Sequence, residues 1–418
     1  MTHVRSFGRT GRAIAICSAL ALVSTVAACG GSPSASTTSS TVAPASGGSS
    51  TGFKLSAPVK LGFLWEIQGE SSVAVSDMQR GATLAVKEIN AAGGVGGHEV
   101  TDFRQTLPPL DLQATVSDFL AAAGQNPTVM IGVPSPTQVP ALATDISAAK
   151  IPVLVTDIGQ PNDVNGVTGM SPYTWFLGNY DPQLINAGIT YQVKDLGMNR
   201  IGIMAGNDSY GQEGVTYATK ALASLGLKPF ATQQFSEQAT DLTSEVLAMK
   251  GANAVFNWAY PNPVALQLKT MYQQGMNIPT MTDESGSLVA GLNLAPADTL
   301  SKMSVAGPCN PANPSYSPSL ATFVKAYQAA YQTPATPNST WGYDGVYFAI
   351  RAIEAAKSSD PQKVQAAIPK VSMAAACGPF KADGAHILNH QATIITFSSL
   401  TAPVTSKVFQ LSPTPAGG

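Results

Sequence analysis

Residues 59–65 form a short apolar run, and a polar stretch with Gly69, Ser71 and Ser72 follows over 66–72. Met78, Ala82, Ala85, Val86 and Ile89 then recur three or four positions apart. That spacing puts apolar side chains on one stripe of an α-helix. A glycine-rich turn over 93–97 closes the helix, where glycine supplies the positive φ of a C-terminal cap. The pattern predicts a strand–loop–helix unit that opens an α/β domain. A phosphate-cradling glycine loop would have to follow a strand and open a helix, so this cluster is read as a cap. Ligands of open α/β sheets bind beyond the carboxyl ends of the strands. The loop 66–72 is therefore the first candidate binding surface.

The same alternation continues. Apolar runs predict strands over 99–105, 128–133 and 152–156. Helical periodicity is read over 112–123 and from 138 to about 149, and loops follow at 134–138 and 157–163. A run at 173–176 leads to a helix over 182–196, with Pro182 in its first turn. A second series then begins. Strands over 200–205, 227–235 and 254–258 are followed by helices over 212–225, 242–250 and 263–274. A short strand at 278–281 precedes the loop 282–287. After about Met303 the chain is expected to return to the first half, with amphipathic helices over 319–331 and 341–357 and an alternating tail over 391–410. Two β-α series of similar length predict an α/β protein of two doubly wound lobes, each with its own mainly parallel sheet.

The 418 residues suffice for two cores, and 11% are charged with a net charge of −2. That flat balance argues against a nucleic-acid partner. The low charged fraction, with 38 Gly and 30 Pro, suits an exported bacterial protein. Arg5, Arg9 and Arg12 precede an apolar stretch over 13–28 that is short for a membrane span. It ends Val26-Ala27-Ala28-Cys29-Gly30, which resembles the lipobox of bacterial lipoproteins. The resemblance implies a signal peptide over 1–28 and acylation of Cys29. Each buried CH₂ of the acyl chains contributes roughly 0.8 kcal/mol to membrane attachment. Residues 30–52 are almost all Gly, Ser, Thr, Ala and Pro and read as a flexible tether, taken here as 29–56 with the lipidated cysteine. Cys17 leaves with the signal peptide. Cys309 and Cys377 then remain as a pair in an oxidising compartment and are expected to form a disulfide, two buried free thiols being the alternative. The bond would contribute roughly 3–4 kcal/mol in the chain-entropy model.

Taken in order, several motifs resemble the branched-chain amino acid (Leu/Ile/Val) binding proteins, the type I periplasmic binding proteins that feed ABC transporters. They are Lys60-Leu61-Gly62, Gly81-Ala82, Ala85, Glu88-Ile89-Asn90, 92–97, Ile131-Gly132, Asp208-Ser209-Tyr210-Gly211, Asp241-Leu242, Trp341-Gly342-Tyr343-Asp344 and Gly345-Val346-Tyr347. The resemblance runs from about Val59 to the C-terminus. It implies two lobes joined by three crossings, near Gly178, Val305 and Gly384, that close on a small polar ligand. The first lobe would be 57–178 and 306–384, the second 179–305 and 385–418.

The resemblance also implies a pocket. Ser135 and Thr137 would meet a ligand carboxylate, although Pro134 and Pro136 interrupt their loop and each lacks an N–H. Asp157 is an acidic departure where small residues are usual. Tyr210 and Tyr260 would close over the ligand, Glu284 would pair with its ammonium, with Asp283 a second candidate, and Trp65 would form an apolar wall. The departures at Pro134, Pro136 and Asp157 argue against leucine, isoleucine or valine. Asp157 with Glu284 favours a cationic or multiply hydrogen-bonding ligand, such as another amino acid, an amide or urea. The implied partners are this ligand, a transporter permease and, through the lipid, the membrane. A monomer with no cofactor or metal is expected.

Enzyme readings have little material. Ser147-Ala148-Ala149-Lys150 fits an SxxK pattern, but companion SDN-like and KTG motifs are missing. His386 and His390 are four apart, a metal-binding spacing only on a helix. The readings that remain are a solute-binding lipoprotein of an ABC importer and a ligand sensor of the same fold.

Overall fold

The computed structural model describes residues 53–68, 72–108, 111–133, 138–156, 170–178, 180–291, 293–397 and 403–412. The expectations for the signal peptide and Cys29 lie outside the described residues, as do Ser135, Thr137 and Asp157. Among the described residues no helix is long and apolar enough to cross a membrane.

The first series comprises β1 (Val59–Trp65), α1 (Ser72–Ala91), β2 (Val100–Thr106), α2 (Leu112–Ala123), β3 (Val129–Gly132), α3 (Gln138–Ala141), α4 (Ala143–Ala149), β4 (Val153–Val155) and β5 (Thr174–Phe176). The five strands make one parallel sheet in the order β2-β1-β3-β4-β5. The single helix expected up to residue 149 is two short ones, with Pro140 inside the first.

The second series comprises α5 (Asp181–Thr190), β6 (Ile201–Gly206), α6 (Ser209–Ser224), β7 (Thr232–Phe235), α7 (Thr243–Ala248), β8 (Ala254–Trp258), α8 (Pro261–Gln273), β9 (Thr280–Thr282), α9 (Ser285–Gly291), α10 (Ala297–Leu300) and β10 (Met303–Gly307). The first of these helices loosens into a wider turn at Tyr191–Asp195. The remaining elements are α11 (Pro318–Tyr331), α12 (Pro337–Ala356), α13 (Pro361–Ala367), the hairpin β11 (Ser372–Ala375) and β12 (Gly378–Lys381), then β13 (Gln391–Phe397) and β14 (Pro403–Gln410). The second sheet has seven strands in the order β14-β13-β10-β9-β8-β6-β7. Its last two strands run antiparallel, as the alternating tail predicts.

Two boundaries differ from expectation. β10 holds the second sheet together through Gly307, so the second crossing begins after that residue rather than at Val305. The tether was expected to run to residue 56, yet Leu55 is 5% exposed and its N–H donates to the Gly96 carbonyl. An apolar side chain that finds a cleft beside a glycine turn buries there.

The returning helices cover the first lobe. α12 is buried along most of its length. It meets α1 backbone to backbone, because a Cβ on Gly81 would fall 1.9 Å from the Ser339 carbonyl oxygen and one on Gly342 equally close to that of Met78. The three crossings are tied to one another. Phe176 N–H donates to the His386 carbonyl, Leu388 N–H to that of Phe176, and Gln391 Nε2 to that of Pro308. Cys309, on the second crossing, and Cys377, in the β11–β12 turn, have their sulfurs at bonding distance, 2.08 Å, and their Cα atoms 5.2 Å apart.

Candidate functional site

The first five strands of both sheets are parallel and carry the order in which the chain reverses direction beside the first strand of the series. A crevice opens at such a switch point, at the carboxyl ends. In the second lobe that point lies between β6 and β8. Asp208 caps α6 there by accepting the Gly211 N–H at 2.9 Å, which fixes the turn carrying Tyr210. Tyr210 stacks on Tyr260 with centroids 5.4 Å apart and tilts against Trp258 at 5.5 Å. Trp258 in turn stacks on Phe256. Tyr260 keeps 39% of its surface in solvent, so the aromatic group has an open edge.

Acidic groups surround this platform. The Tyr210 hydroxyl donates to Asp283 Oδ2 at 2.5 Å. Asp283 follows β9, is 2% exposed, and also accepts from Ser285 N–H and Ser285 Oγ at 3.2 and 3.0 Å. Burial pushes its carboxyl up to about 6, against the opposing pull of those hydrogen bonds. The Tyr210 phenol is held well above its ordinary range by burial and then by the charges of Asp283, Asp181 and Glu284. Asp181, at the start of α5, is itself 1% exposed. The charges acting most strongly on Tyr210 are thus all anionic.

The first-lobe edge is built differently. Gly132 and Val133 both take positive φ, at 137° and 57°. At Gly132 a side chain would strike the Leu64 carbonyl oxygen at 2.0 Å. Positive φ at a buried, β-branched valine is strain of the kind that collects at ligand sites. Beside it Glu66 is 6% exposed, accepts from Gln138 Nε2 at 3.2 Å, and has its carboxyl raised by burial.

The structure therefore brings together Tyr210, Tyr260, Asp283 and Glu284. Trp65 is packed in the first-lobe core, 1% exposed and stacked on Phe63, rather than lining an open wall. Residues 66 and 67 follow it at the strand end, and Ile67 is 47% exposed. Asp283, the second candidate for the ammonium, makes the tightest polar contact in the cluster. Sequence reasoning missed Trp258 and Asp181. Trp258 ends a mostly apolar strand and reads as core, while Asp181 before Pro182 reads as an ordinary helix start. His386 and His390 are on separate tasks, Nδ1 of the first on the Thr174 carbonyl and Nε2 of the second on that of Lys381. Among the described residues no cluster of three or more metal-ligating side chains occurs.

Comparison with known proteins gives the family and the fold. The model of a family described as periplasmic binding protein matches residues 58–399. Leu/Ile/Val-binding protein homolog 7 of Brucella suis is 25% identical over 348 residues, covering 77% of this chain and 83% of the relative. Among solved structures, the LivJ substrate-binding protein of a branched-chain amino acid transporter from Streptococcus pneumoniae, in complex with isoleucine, superposes with a TM-score of 0.73. It is 20% identical, and the match covers 85% of this chain and all of that one. A transporter solute-binding protein from Rhodopseudomonas palustris in complex with p-hydroxybenzoic acid gives a TM-score of 0.72 at 17% identity, covering 86% of this chain and 98% of that one. The matched proteins are solute-binding proteins, not enzymes. With a family model spanning both sheets and both crevice edges, the chain belongs to the periplasmic binding protein family.

Proposed function

We propose that the chain is an extracytoplasmic solute-binding lipoprotein. It captures a small, nitrogen-bearing polar solute between its lobes and delivers it to an ABC importer. The observation that carries this reading is the anionic, aromatic cluster at the switch point of the second sheet. A flat or apolar body would lie against Tyr210 and Tyr260, and an ammonium or amide N–H would meet Glu284 and the Tyr210 oxygen. Ser135, Thr137 and Asp157, which follow β3 and β4 in sequence, would supply the first-lobe contacts, with Trp65 supporting that edge from the core. A solute touching both lobes stabilises the closed form because only there does it make both sets of contacts. Cys29 would carry the lipid that holds a monomeric receptor at the membrane, and Cys309 with Cys377 would be oxidised there. The relatives named for branched-chain amino acids support an amino acid or an amide of similar size.

A thermal-shift screen across amino acids, amides, polyamines and aromatic acids tests this reading. Amine-bearing solutes should raise the midpoint, and a response confined to plain carboxylates would refute it. For the best solute, Glu284→Ala should weaken binding about tenfold or more, read by calorimetric titration. Deleting the gene should abolish uptake of that solute; unchanged uptake would point to sensing instead of transport.

A further inference from the structure

A phenol has one proton to donate, and the structure places that of Tyr210 on Asp283. The carboxylate is fixed in turn by the backbone and hydroxyl of Ser285 at the start of α9. With its O–H committed, the phenol oxygen has only lone pairs to offer an approaching group. We propose that Asp283 is a positioning residue that locks Tyr210 as a hydrogen-bond acceptor. The second-lobe half of the site then takes the N–H-bearing end of the solute and turns a carboxylate away. This rests on the solute-binding reading above and adds the group that fixes the Tyr210 proton and so enforces the orientation of the solute.

The neighbours act in the same sense. Asp181, from the start of α5, and Glu284, beside Asp283, both place negative charge on Tyr210, so a second anion is repelled there. The titratable and charged groups that bear on the lock are therefore Tyr210 from α6, Asp181 from α5, and Glu284 and Asp283 from the turn after β9. Protonating Asp283 inverts the arrangement. A neutral carboxyl can donate to the phenol oxygen, and the Tyr210 O–H is then free to turn to a carboxylate. Burial brings Asp283 up to about 6, so the inversion falls within a mildly acid range. Above that range the site is an acceptor; below it, a donor.

The test uses the mature chain, its Asp283→Asn and Tyr210→Phe variants, and two probes with one ring and opposite charge, benzylammonium and benzoate. Both probes keep their charge between about pH 5 and pH 8. Benzylammonium should bind about tenfold more weakly at the acid end, benzoate should show the opposite trend, and both trends should vanish in Asp283→Asn. A second readout needs no ligand. The Cζ carbon signal of Tyr210, identified by its loss in Tyr210→Phe, should shift with a midpoint near pH 6 in the wild type and stay fixed in Asp283→Asn. A Tyr210 signal at the same position in Asp283→Asn as in the wild type at the alkaline end overturns the lock whatever binds, and one that stays fixed with pH in the wild type overturns the acid inversion. A titrating signal with benzoate bound as tightly as benzylammonium at the alkaline end overturns the orientation. A titrating signal with neither probe bound upholds the lock and counts against the amine-bearing solute. Should Asp283→Asn fail to fold, the wild-type preference between the two probes at the alkaline end still decides the orientation, benzoate bound as tightly as benzylammonium overturning it.

Discussion

Asp344 illustrates what single buried carboxyls do in this molecule. It lies in α12, is 1% exposed, and accepts the Ala376 and Cys377 N–H groups at 2.7 and 2.9 Å. Burial pushes its carboxyl up to about 7. A folded-state value above the ordinary carboxylate range means stability that is present in acid and lost as pH rises through about 7. Asp283 adds a contribution of the same sign that is lost as pH rises to about 6. The unfolding midpoint, followed by circular dichroism, should therefore fall from about pH 5 to pH 8. Asp344→Asn should flatten that slope and cost about 1–3 kcal/mol, because an amide has one acceptor for two buried donors. At this scale Tyr210, Tyr260, Asp283 and Glu284 were named by the resemblance rather than by any local pattern, and the structure sets them near one another. The sequence was illegible where the role depends on a distant partner. Nothing local in Trp341-Gly342-Tyr343-Asp344 says that the aspartate will hold a turn more than thirty residues on.

Elements show the same division. β1, α2 and β8 have the expected limits, since each is a clear run closed by a change of polarity. The short α9 and α10 were not foreseen, because one or two turns carry no readable period. A crossing was expected near Val305 because a short buried run looks alike in a strand and in a connection; only the pairing of β10 with β9 and β13 decides. The α1–α12 seam depends on absent side chains, so no apolar pattern announces it. Gly342→Ala should force the two helices apart and cost about 1–3 kcal/mol, with Gly81→Ala similar, measured by urea titration. An alanine tolerated at both positions without loss would mean the seam is slack.

Across the whole molecule, two sheets that share the order of their first five strands are joined by connections that hydrogen-bond to one another. The Cys309 and Cys377 sulfurs lie at bonding distance across a sequence separation of 68, and oxidised they would fasten the second connection to the β11–β12 turn. Replacing both cysteines by serine should lower the unfolding free energy by about 2–4 kcal/mol. Mature protein denatured without reductant should show no titratable thiol at these positions. That fastening has a consequence for manufacture. Bacterial cytosol keeps thiols reduced. A copy made there would emerge with the pivot unbuttoned, whereas one that had crossed the membrane would not. Two preparations of identical sequence would then differ in how readily their jaws swing, and the route of production would belong in any account of their affinity.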